Sequence, residues 1–177
     1  KSGNRAGAEE SFSRVTKQEP DNDIGWEGYL LAIRGGGDFH KLLAASEEAA
    51  QKNPDYGAIW KYQGIANSGL DNPEEALSAF DKALEIDPDY YMALYYKGLA
   101  LVSLKRYTEA VSAFVQVVKA EPAYAKAWNN MGVAFNYLGN YEDAINAFDK
   151  AYELDPSFTQ AYENRAIAIE EQKHGNL

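Results

Sequence analysis

The chain contains no cysteine and only two histidines. The missing thiols exclude a disulfide framework, a thiolate zinc site and a cysteine nucleophile. The histidines, His40 and His174, lie far apart in the sequence with no cysteine between them, so no shared metal site is expected. The sequence therefore predicts no bound metal and no cofactor.

Positive charge and long apolar runs are also scarce. The formal net charge is −10, which argues against nucleic acid or an anionic membrane as the main partner. No apolar run approaches the roughly 18 residues that a membrane-spanning helix needs. We therefore expect no nucleic-acid partner and no membrane partner, with the cytoplasm as the default location. A hydrophobic content of 46% indicates a folded chain rather than a disordered one.

Proline is rare, but its placement is regular. Five of the six prolines follow one another at intervals of 34 residues: Pro20, Pro54, Pro88, Pro122 and Pro156. Other residue types keep the same interval, namely Gly64, Gly98 and Gly132; Ala76, Ala110 and Ala144; and Phe80, Phe114 and Phe148. The chain is therefore built from a repeated unit of fixed length.

Each unit contains two apolar series with helical spacing. In residues 125–158, one series ends at Leu138 and another starts at Ala144, and both proceed in steps of three and four residues. Gly139 and Asn140 separate the two series, and both residues tolerate the positive φ of a helix C-terminal cap. A proline ends the second helix, because it lacks an N–H group and disfavours helix in the residue before it. Each unit is thus predicted to be a helical hairpin.

The recurring residues resemble the tetratricopeptide repeat, a helix–turn–helix unit. Residues 125–158 carry its motif at Trp128, Gly132, Phe135, Tyr141, Ala144, Phe148, Ala151 and Pro156. Small residues at Gly132 and Ala144 are expected where the two helices approach closely. The resemblance implies an all-α fold, a right-handed superhelical solenoid of stacked helix-turn-helix hairpins.

The repeat interval divides the chain into units that together form one tetratricopeptide repeat domain. They are a partial repeat with only a second helix at 1–22, a degenerate repeat at 23–56, full repeats at 57–90, 91–124 and 125–158, and a partial repeat or capping helix at 159–177. Leu30 stands where glycine is expected, which predicts a spread hairpin in the degenerate repeat. Gly3-Asn4 and His174–Leu177 resemble the turns inside a hairpin. Because both end units are incomplete, we expect the chain to be part of a longer protein or array.

The same register predicts the helices and the turns between them. The expected helices are 9–18, 23–34, 39–52, 57–70, 74–86, 91–104, 108–120, 125–138, 142–154 and 159–172, with no strand. The triple glycine at 35–37 lacks the Gly-Lys-Ser/Thr that completes a phosphate-binding loop, and it lies between two predicted helices. We therefore interpret it as a plain turn.

By resemblance, the first helix of each unit lines a concave face that binds ligands. Its inward positions predict a peptide-binding groove formed by Lys61, Tyr62, Tyr95, Tyr96, Lys126, Asn129, Asn130, Val133, Tyr137 and Asn164. Tyrosines offer apolar contact with a polar rim, and asparagines can donate to and accept from a ligand backbone. The two lysines are expected to attract an acidic group. The carboxylate clamp of some family members is not expected, because Ile65, Tyr96 and Asn130 occupy three of its five positions.

The chain is therefore predicted to be a protein–protein interaction scaffold, and not an enzyme. We expect it to bind a peptide or a partner segment in the concave groove. Two alternatives stay open: a non-catalytic arm of a larger enzyme, and a self-assembly module whose exposed end repeats associate with another chain.

Overall fold

The computed structural model describes residues 2–175, with side chains described for residues 6–174. Within that range the chain forms ten α-helices and no strand. They are α1 (Ser2–Gln18), α2 (Asp23–Arg34), α3 (Phe39–Lys52), α4 (Gly57–Gly69), α5 (Pro73–Ile86), α6 (Tyr91–Ser103), α7 (Tyr107–Ala120), α8 (Ala125–Tyr137), α9 (Tyr141–Leu154) and α10 (Thr159–Gly175). The predicted all-α class is confirmed.

The helix boundaries follow the repeat register closely. From α2 to α9, every helix begins and ends within one residue of its predicted position. The recurring prolines lie just beyond the second helices, as at Pro88, which follows the end of α5 at Ile86. The prediction that proline ends the second helix is therefore confirmed.

The predictions were wrong at both ends of the chain. α1 begins at Ser2 rather than at residue 9, so Gly3-Asn4 lies inside a helix and forms no turn. The residues that follow, Ala6 to Glu10, include several strong helix formers, which favour this extension. α10 continues to Gly175, so His174 and Gly175 form no turn. The rest of that predicted turn, residues 176–177, lies outside the described residues.

Each hairpin turn contains one residue with positive φ at the same position of the unit. These residues are Gly37 (φ 76°), Asp71 (φ 62°), Lys105 (φ 58°) and Gly139 (φ 75°). The residue after Gly139 does not share this conformation, since Asn140 has a φ of −84° and is the N-cap of α9. The triple glycine is one of these four turns, which confirms its interpretation as a turn.

Phenylalanine rings of the second helices pack onto glycines of the first helices. The rings of Phe80, Phe114 and Phe148 are 0%, 0% and 1% exposed. A Cβ atom added at Gly64, Gly98 or Gly132 would lie 2.4, 2.6 or 2.7 Å, respectively, from the nearest carbon of these rings. Carbon atoms in contact lie about 3.5–4.0 Å apart, so any side chain there would displace the ring. The space beside Gly132 is thus occupied by the Phe148 ring rather than by the backbone of α9, and the predicted close approach of the two helix backbones stays a prediction.

In the hairpin of α2 and α3 the large side chain lies on the first helix and the small one on the second helix, the reverse of the other hairpins. Leu30 occupies the glycine position and Ser46 occupies the phenylalanine position, and both residues are 0% exposed. The Ser46 hydroxyl donates a hydrogen bond to the backbone oxygen of Leu43 at 2.8 Å. α2 packs on α3 less extensively than α4 packs on α5, which confirms the predicted spread hairpin.

Tryptophan side chains bond to the backbone of the recurring prolines. The Nε1–H groups of Trp26, Trp60 and Trp128 donate to the backbone oxygens of Pro20, Pro54 and Pro122 at 2.8, 2.7 and 2.9 Å, respectively. Each bond ties the turn before a unit to the first helix of that unit. Leu94 takes the equivalent position in residues 91–124, where a leucine side chain has no donor for Pro88.

Contacts divide the chain into an N-terminal part, residues 1–96, and a C-terminal part, residues 97–177. In the N-terminal part α1 packs on α2, α2 on α3, α3 on α4 and α4 on α5. In the C-terminal part α7 packs on α8, α8 on α9 and α9 on α10. Within each part, helices therefore pack mainly on their neighbours in sequence, as stacked hairpins do.

The variant Gly132→Ala should lower the free energy of unfolding by about 1–2 kcal/mol, because overpacking against Phe148 outweighs the helix propensity of alanine. Urea denaturation followed by circular dichroism measures this change. Gly7→Ala is the matched control, since Gly7 is helical and an added Cβ there meets nothing within 4 Å. That control should gain up to about 1 kcal/mol. Equal behaviour of the two variants would contradict the packing of Phe148 on Gly132.

Candidate functional site

The ten residues of the predicted groove lie on the first helices α4, α6, α8 and α10. Lys61, Tyr62, Tyr95 and Asn129 are buried; Tyr96, Asn130, Val133 and Asn164 are half-buried; Lys126 and Tyr137 are exposed. Because these residues belong to both parts of the chain, the N-terminal and C-terminal sets are described separately.

In the N-terminal part, Lys61 is a buried cation that pairs with the partly exposed Glu27. Its Nζ lies 3.5 Å from Oε1 of Glu27, and Lys61 is 7% exposed. Burial lowers the pKa of Lys61, and the Glu27 carboxylate opposes that change. Glu27 also accepts a hydrogen bond from the Tyr56 hydroxyl at 2.5 Å. Lys61 is thus already paired inside the protein, which weakens the attraction that it can offer to an acidic ligand.

Three tyrosines complete a cluster around this ion pair. Nζ of Lys61 lies 4.1 Å from the ring centre of Tyr62 and 5.4 Å from that of Tyr90. At such distances the face of an aromatic ring attracts a cation. Burial raises the pKa of Tyr62 to about 12, and the charge of Glu27 acts in the same direction. Burial, together with Glu27, also raises the pKa of Tyr56 and of Tyr90 above the usual tyrosine value.

Tyr96 is held in place by side chains of the N-terminal part. Its hydroxyl accepts a hydrogen bond from Nη2 of Arg34. Its ring stacks on Phe80 with ring centres 6.1 Å apart and an interplanar angle of 17°. The ring of Tyr95 meets it edge-on, at 5.4 Å and 72°. Tyr96 is therefore a fixed, half-buried element of the candidate surface.

Helix α2 also contributes to the candidate surface, although none of its residues was predicted. Glu27 lies one repeat interval before Lys61, so the spacing that selected Lys61 could have found it. The same face of α2 carries Ile24 and Leu31, which are 78% and 54% exposed. The candidate surface of the N-terminal part thus includes an exposed apolar strip one unit earlier than predicted.

A cavity of about 300 Å³ adjoins the cluster around Lys61. It is lined by Glu27, Asp55, Tyr56, Gly57, Ala58, Ile86, Asp87 and Tyr90. Three carboxylates make its lining acidic, while the aromatic and aliphatic side chains supply apolar surface. None of the predicted groove residues lines it, because its lining comes largely from helix ends and the turns that precede first helices.

In the C-terminal part, the predicted asparagines form a hydrogen-bonded network. Nδ2 of Asn164 donates to Oδ1 of Asn129 at 3.0 Å, and Nδ2 of Asn129 donates to Oδ1 of Asn130 at 3.4 Å. Asn129 is 3% exposed, whereas the other two residues are half-buried. The network joins α8 to α10 and holds the more accessible amides of Asn130 and Asn164 in place.

Beside this network lies a cleft of about 200 Å³, which we call the C-terminal cleft. It is lined by Val133, Asn136, Tyr137, Phe148, Asn164, Ile167 and Glu171. Tyr137 and Ile167 are 62% and 53% exposed. The Tyr137 ring stacks on Tyr107 of α7, with ring centres 4.6 Å apart and an interplanar angle of 9°. Three predicted residues thus meet at this cleft, whereas Lys126 lies in the first turn of α8 and does not line it.

In the part of the chain that the structure describes, no group of three or more histidine, aspartate or glutamate side chains is placed to hold a metal ion. None of the described helices combines the length and the apolar character needed to cross a membrane.

Two sequence profiles of the tetratricopeptide repeat match the chain. One matches residues 125–158, and the other matches residues 37–91 and 63–127, so that together they cover more than half of the chain. The chain belongs to the tetratricopeptide repeat family. The resemblance found in the sequence is thereby confirmed. No curated protein sequence matches the chain.

Solved structures of tetratricopeptide repeat proteins resemble the chain over most of its length. MamA (residues 41 to the end) from Desulfovibrio magneticus RS-1 is 26% identical, with a TM-score of 0.71 over 86% of this chain and 92% of its own. YrrB, described as a TPR protein with an unusual peptide-binding site, is 21% identical, with a TM-score of 0.75 over 93% and 84%. TTC0263, a TPR protein from Thermus thermophilus, is 18% identical, with a TM-score of 0.77 over 94% and 91%. The fold is therefore an all-α helical-repeat solenoid, as predicted.

The raised pKa values of Tyr56, Tyr62 and Tyr90 predict a loss of stability at alkaline pH. Unfolded tyrosines release their protons near pH 10, whereas the folded residues retain theirs. The unfolded state then binds fewer protons, so the free energy of unfolding falls as the pH rises. For Tyr62 this window runs from pH 10.0 to about 12. The lowered pKa of Lys61 acts in the opposite sense only below pH 10.5, so it leaves most of the tyrosine window unaffected.

The variant Tyr62→Phe should reduce this alkaline loss by up to about 1.4 kcal/mol per pH unit, because it removes one proton from the balance. Urea denaturation at a series of pH values within the window gives the slope. Tyr152→Phe, at a residue that is 41% exposed on α9, is the control. A Tyr62→Phe slope equal to that of the wild type would refute the assignment.

Proposed function

We propose that the chain is a non-catalytic interaction scaffold that holds a segment of a partner protein on the first-helix face of its units. The observation that carries this proposal is the C-terminal cleft, where exposed Tyr137 and Ile167 lie beside an ordered asparagine network. Exposed aromatic and apolar side chains with a polar rim are typical of interaction sites. Held amides add specificity, since they can pair with the backbone of a bound segment.

The size of the cleft favours a protein segment over a free small molecule. Its volume of about 200 Å³ is below the roughly 300–1,000 Å³ of small-molecule pockets. Such a cleft suits one side chain of a longer segment, whose backbone then runs over the surrounding surface. The fold similarity to YrrB, a protein described as having an unusual peptide-binding site, supports a peptide-like ligand here as well.

The burial of each C-terminal groove residue suggests its role. Tyr137 and Val133 supply apolar contact at the cleft. Asn130 and Asn164 hydrogen-bond to the ligand backbone, and buried Asn129 positions both. Lys126, exposed in the first turn of α8, attracts an acidic group of the ligand.

The N-terminal groove residues take more supporting roles. Lys61, Tyr62 and Tyr95 are buried and form the floor of the surface. Tyr96 presents its accessible portion to the ligand, and the apolar strip of Ile24 and Leu31 extends this contact along α2.

Self-association through α10 is a second candidate, favoured by one observation. Tyr162 is 60% exposed, and Ala166, which takes the position of Gly132, is exposed as well. In residues 57–158 a phenylalanine ring of a second helix covers that position in every unit. A second copy could provide such cover. Light scattering at rising concentration tests this candidate, which fails if the mass stays at the 19.6 kDa of one chain.

The variant Tyr137→Ala tests the main proposal. Peptides selected against the wild-type chain from a displayed random library should bind this variant about 30-fold more weakly, since removal of an aromatic anchor costs roughly 2 kcal/mol. Fluorescence anisotropy with the synthetic peptides gives the affinities. Tyr152→Ala, which removes a 41% exposed tyrosine from second helix α9, should bind like the wild type. The proposal fails if the library yields no binder, or if the two variants bind equally well.

A further inference from the structure

The C-terminal cleft contains a buried acceptor that lacks a donor. Nδ2 of Asn136 donates one hydrogen bond to Oε2 of Glu171, and Oδ1 is the acceptor atom of the same amide. This oxygen is buried and has no hydrogen-bond partner among the described residues. Buried carbonyl oxygens in folded proteins are nearly always hydrogen-bonded. Because this oxygen has almost no accessible surface, a donor in the cleft reaches it only after the Asn136 side chain rotates, and such a donor completes the hydrogen bonding of the amide.

The negative charge of the cleft favours a cationic hydrogen-bond donor over a neutral one. Among the described residues that line the cleft, Glu171 is the one that carries a charge, and it is acidic. Two basic residues of the same helix have carboxylate partners elsewhere, since Arg165 pairs with Asp149 at 2.5 Å and Lys173 lies 3.9 Å from Glu170. The cleft thus combines a negative charge with an unsatisfied acceptor, and both features favour a cationic donor.

The aromatic wall of the cleft favours the same chemistry. Tyr137 is 62% exposed, and stacking on Tyr107 fixes the plane of its ring. The face of a tyrosine ring attracts a cation, and arginine is the cation that most often takes such a position. The planar guanidinium group also has five N–H donors, enough to bond a carboxylate and a nearby carbonyl together.

We propose that the C-terminal cleft receives an arginine side chain of the partner segment. The guanidinium group donates to the Glu171 carboxylate and lies against the Tyr137 ring, and rotation of the half-buried Asn136 side chain lets Oδ1 accept a hydrogen bond from it as well. This inference rests on the proposed function and names the chemistry of the partner. The net charge of −10 on the chain favours a basic segment in the same way.

The experiment begins with the displayed random-peptide library described above. Peptides that bind the wild-type chain should be enriched in arginine, and more weakly in lysine, relative to the unselected library. For one selected peptide, replacement of its arginine by citrulline removes the charge and keeps the shape. The citrulline peptide should bind the wild type about tenfold more weakly, as expected for the loss of a charge-assisted hydrogen bond.

Two variants of α10 provide a matched pair. Glu171→Gln should weaken binding of the arginine peptide about tenfold and should bind the arginine and citrulline peptides alike. Glu170→Gln makes the same charge change one residue earlier, at a residue that does not line the cleft, and should bind like the wild type. Circular dichroism checks that both variants are folded.

The possible results separate this inference from the proposed function. Peptides that bind the wild type but not Tyr137→Ala, with no enrichment in arginine, leave the scaffold proposal intact and overturn the arginine assignment. Equal binding of the arginine and citrulline peptides to the wild type also overturns it, since water or a neutral donor then serves Asn136. If Glu171→Gln and Glu170→Gln weaken binding equally, the preference for arginine comes from the overall charge of the chain, and the assigned site is overturned. A library that yields no binder overturns both proposals.

Discussion

The fold depends on the contact between a phenylalanine ring of each regular second helix and a glycine of the preceding first helix. A chain of stacked hairpins has no single closed core, so its stability is a sum over such repeated contacts. The ring of Phe148 is 1% exposed, and burial of an aromatic ring of this kind contributes roughly 1.5–3 kcal/mol. The contact at Gly132 also holds α8 in place, and α8 carries most of the predicted residues of the C-terminal part.

The helices could be predicted from the sequence because each unit repeats its apolar steps and its terminating residues. The errors fell at α1 and α10, where a Gly-Asn pair taken for a turn had no complete hairpin around it. Periodicity shows which residues recur, but it does not show which atoms meet. The bond from Trp128 to the backbone oxygen of Pro122 was therefore missed, although both residues had been singled out.

The candidate site was predictable to a smaller extent. Asn129 and Asn164 occupy neighbouring inward positions on successive first helices, and the structure brings their amides to 3.0 Å. The burial of Lys61 could not be predicted, because it depends on Glu27 of α2 and on Tyr90, which lies just before α6. A repeat register assigns a residue to a face, whereas its accessibility depends on side chains that differ from one unit to the next.

The large residue at Leu30 and the small residue at Ser46 limit how this hairpin can be converted to the regular form of the repeat. Both residues are fully enclosed, so neither can change size without a change in the packing around it. Glycine introduced at Leu30 by itself would leave a void, and phenylalanine introduced at Ser46 by itself would have no glycine to receive its ring. Conversion of this hairpin to the regular form therefore needs two simultaneous changes, because a sequence with only one of them is less stable. Duplication of residues 57–90, in contrast, carries a matched pair in one step and offers an easier route to a longer array.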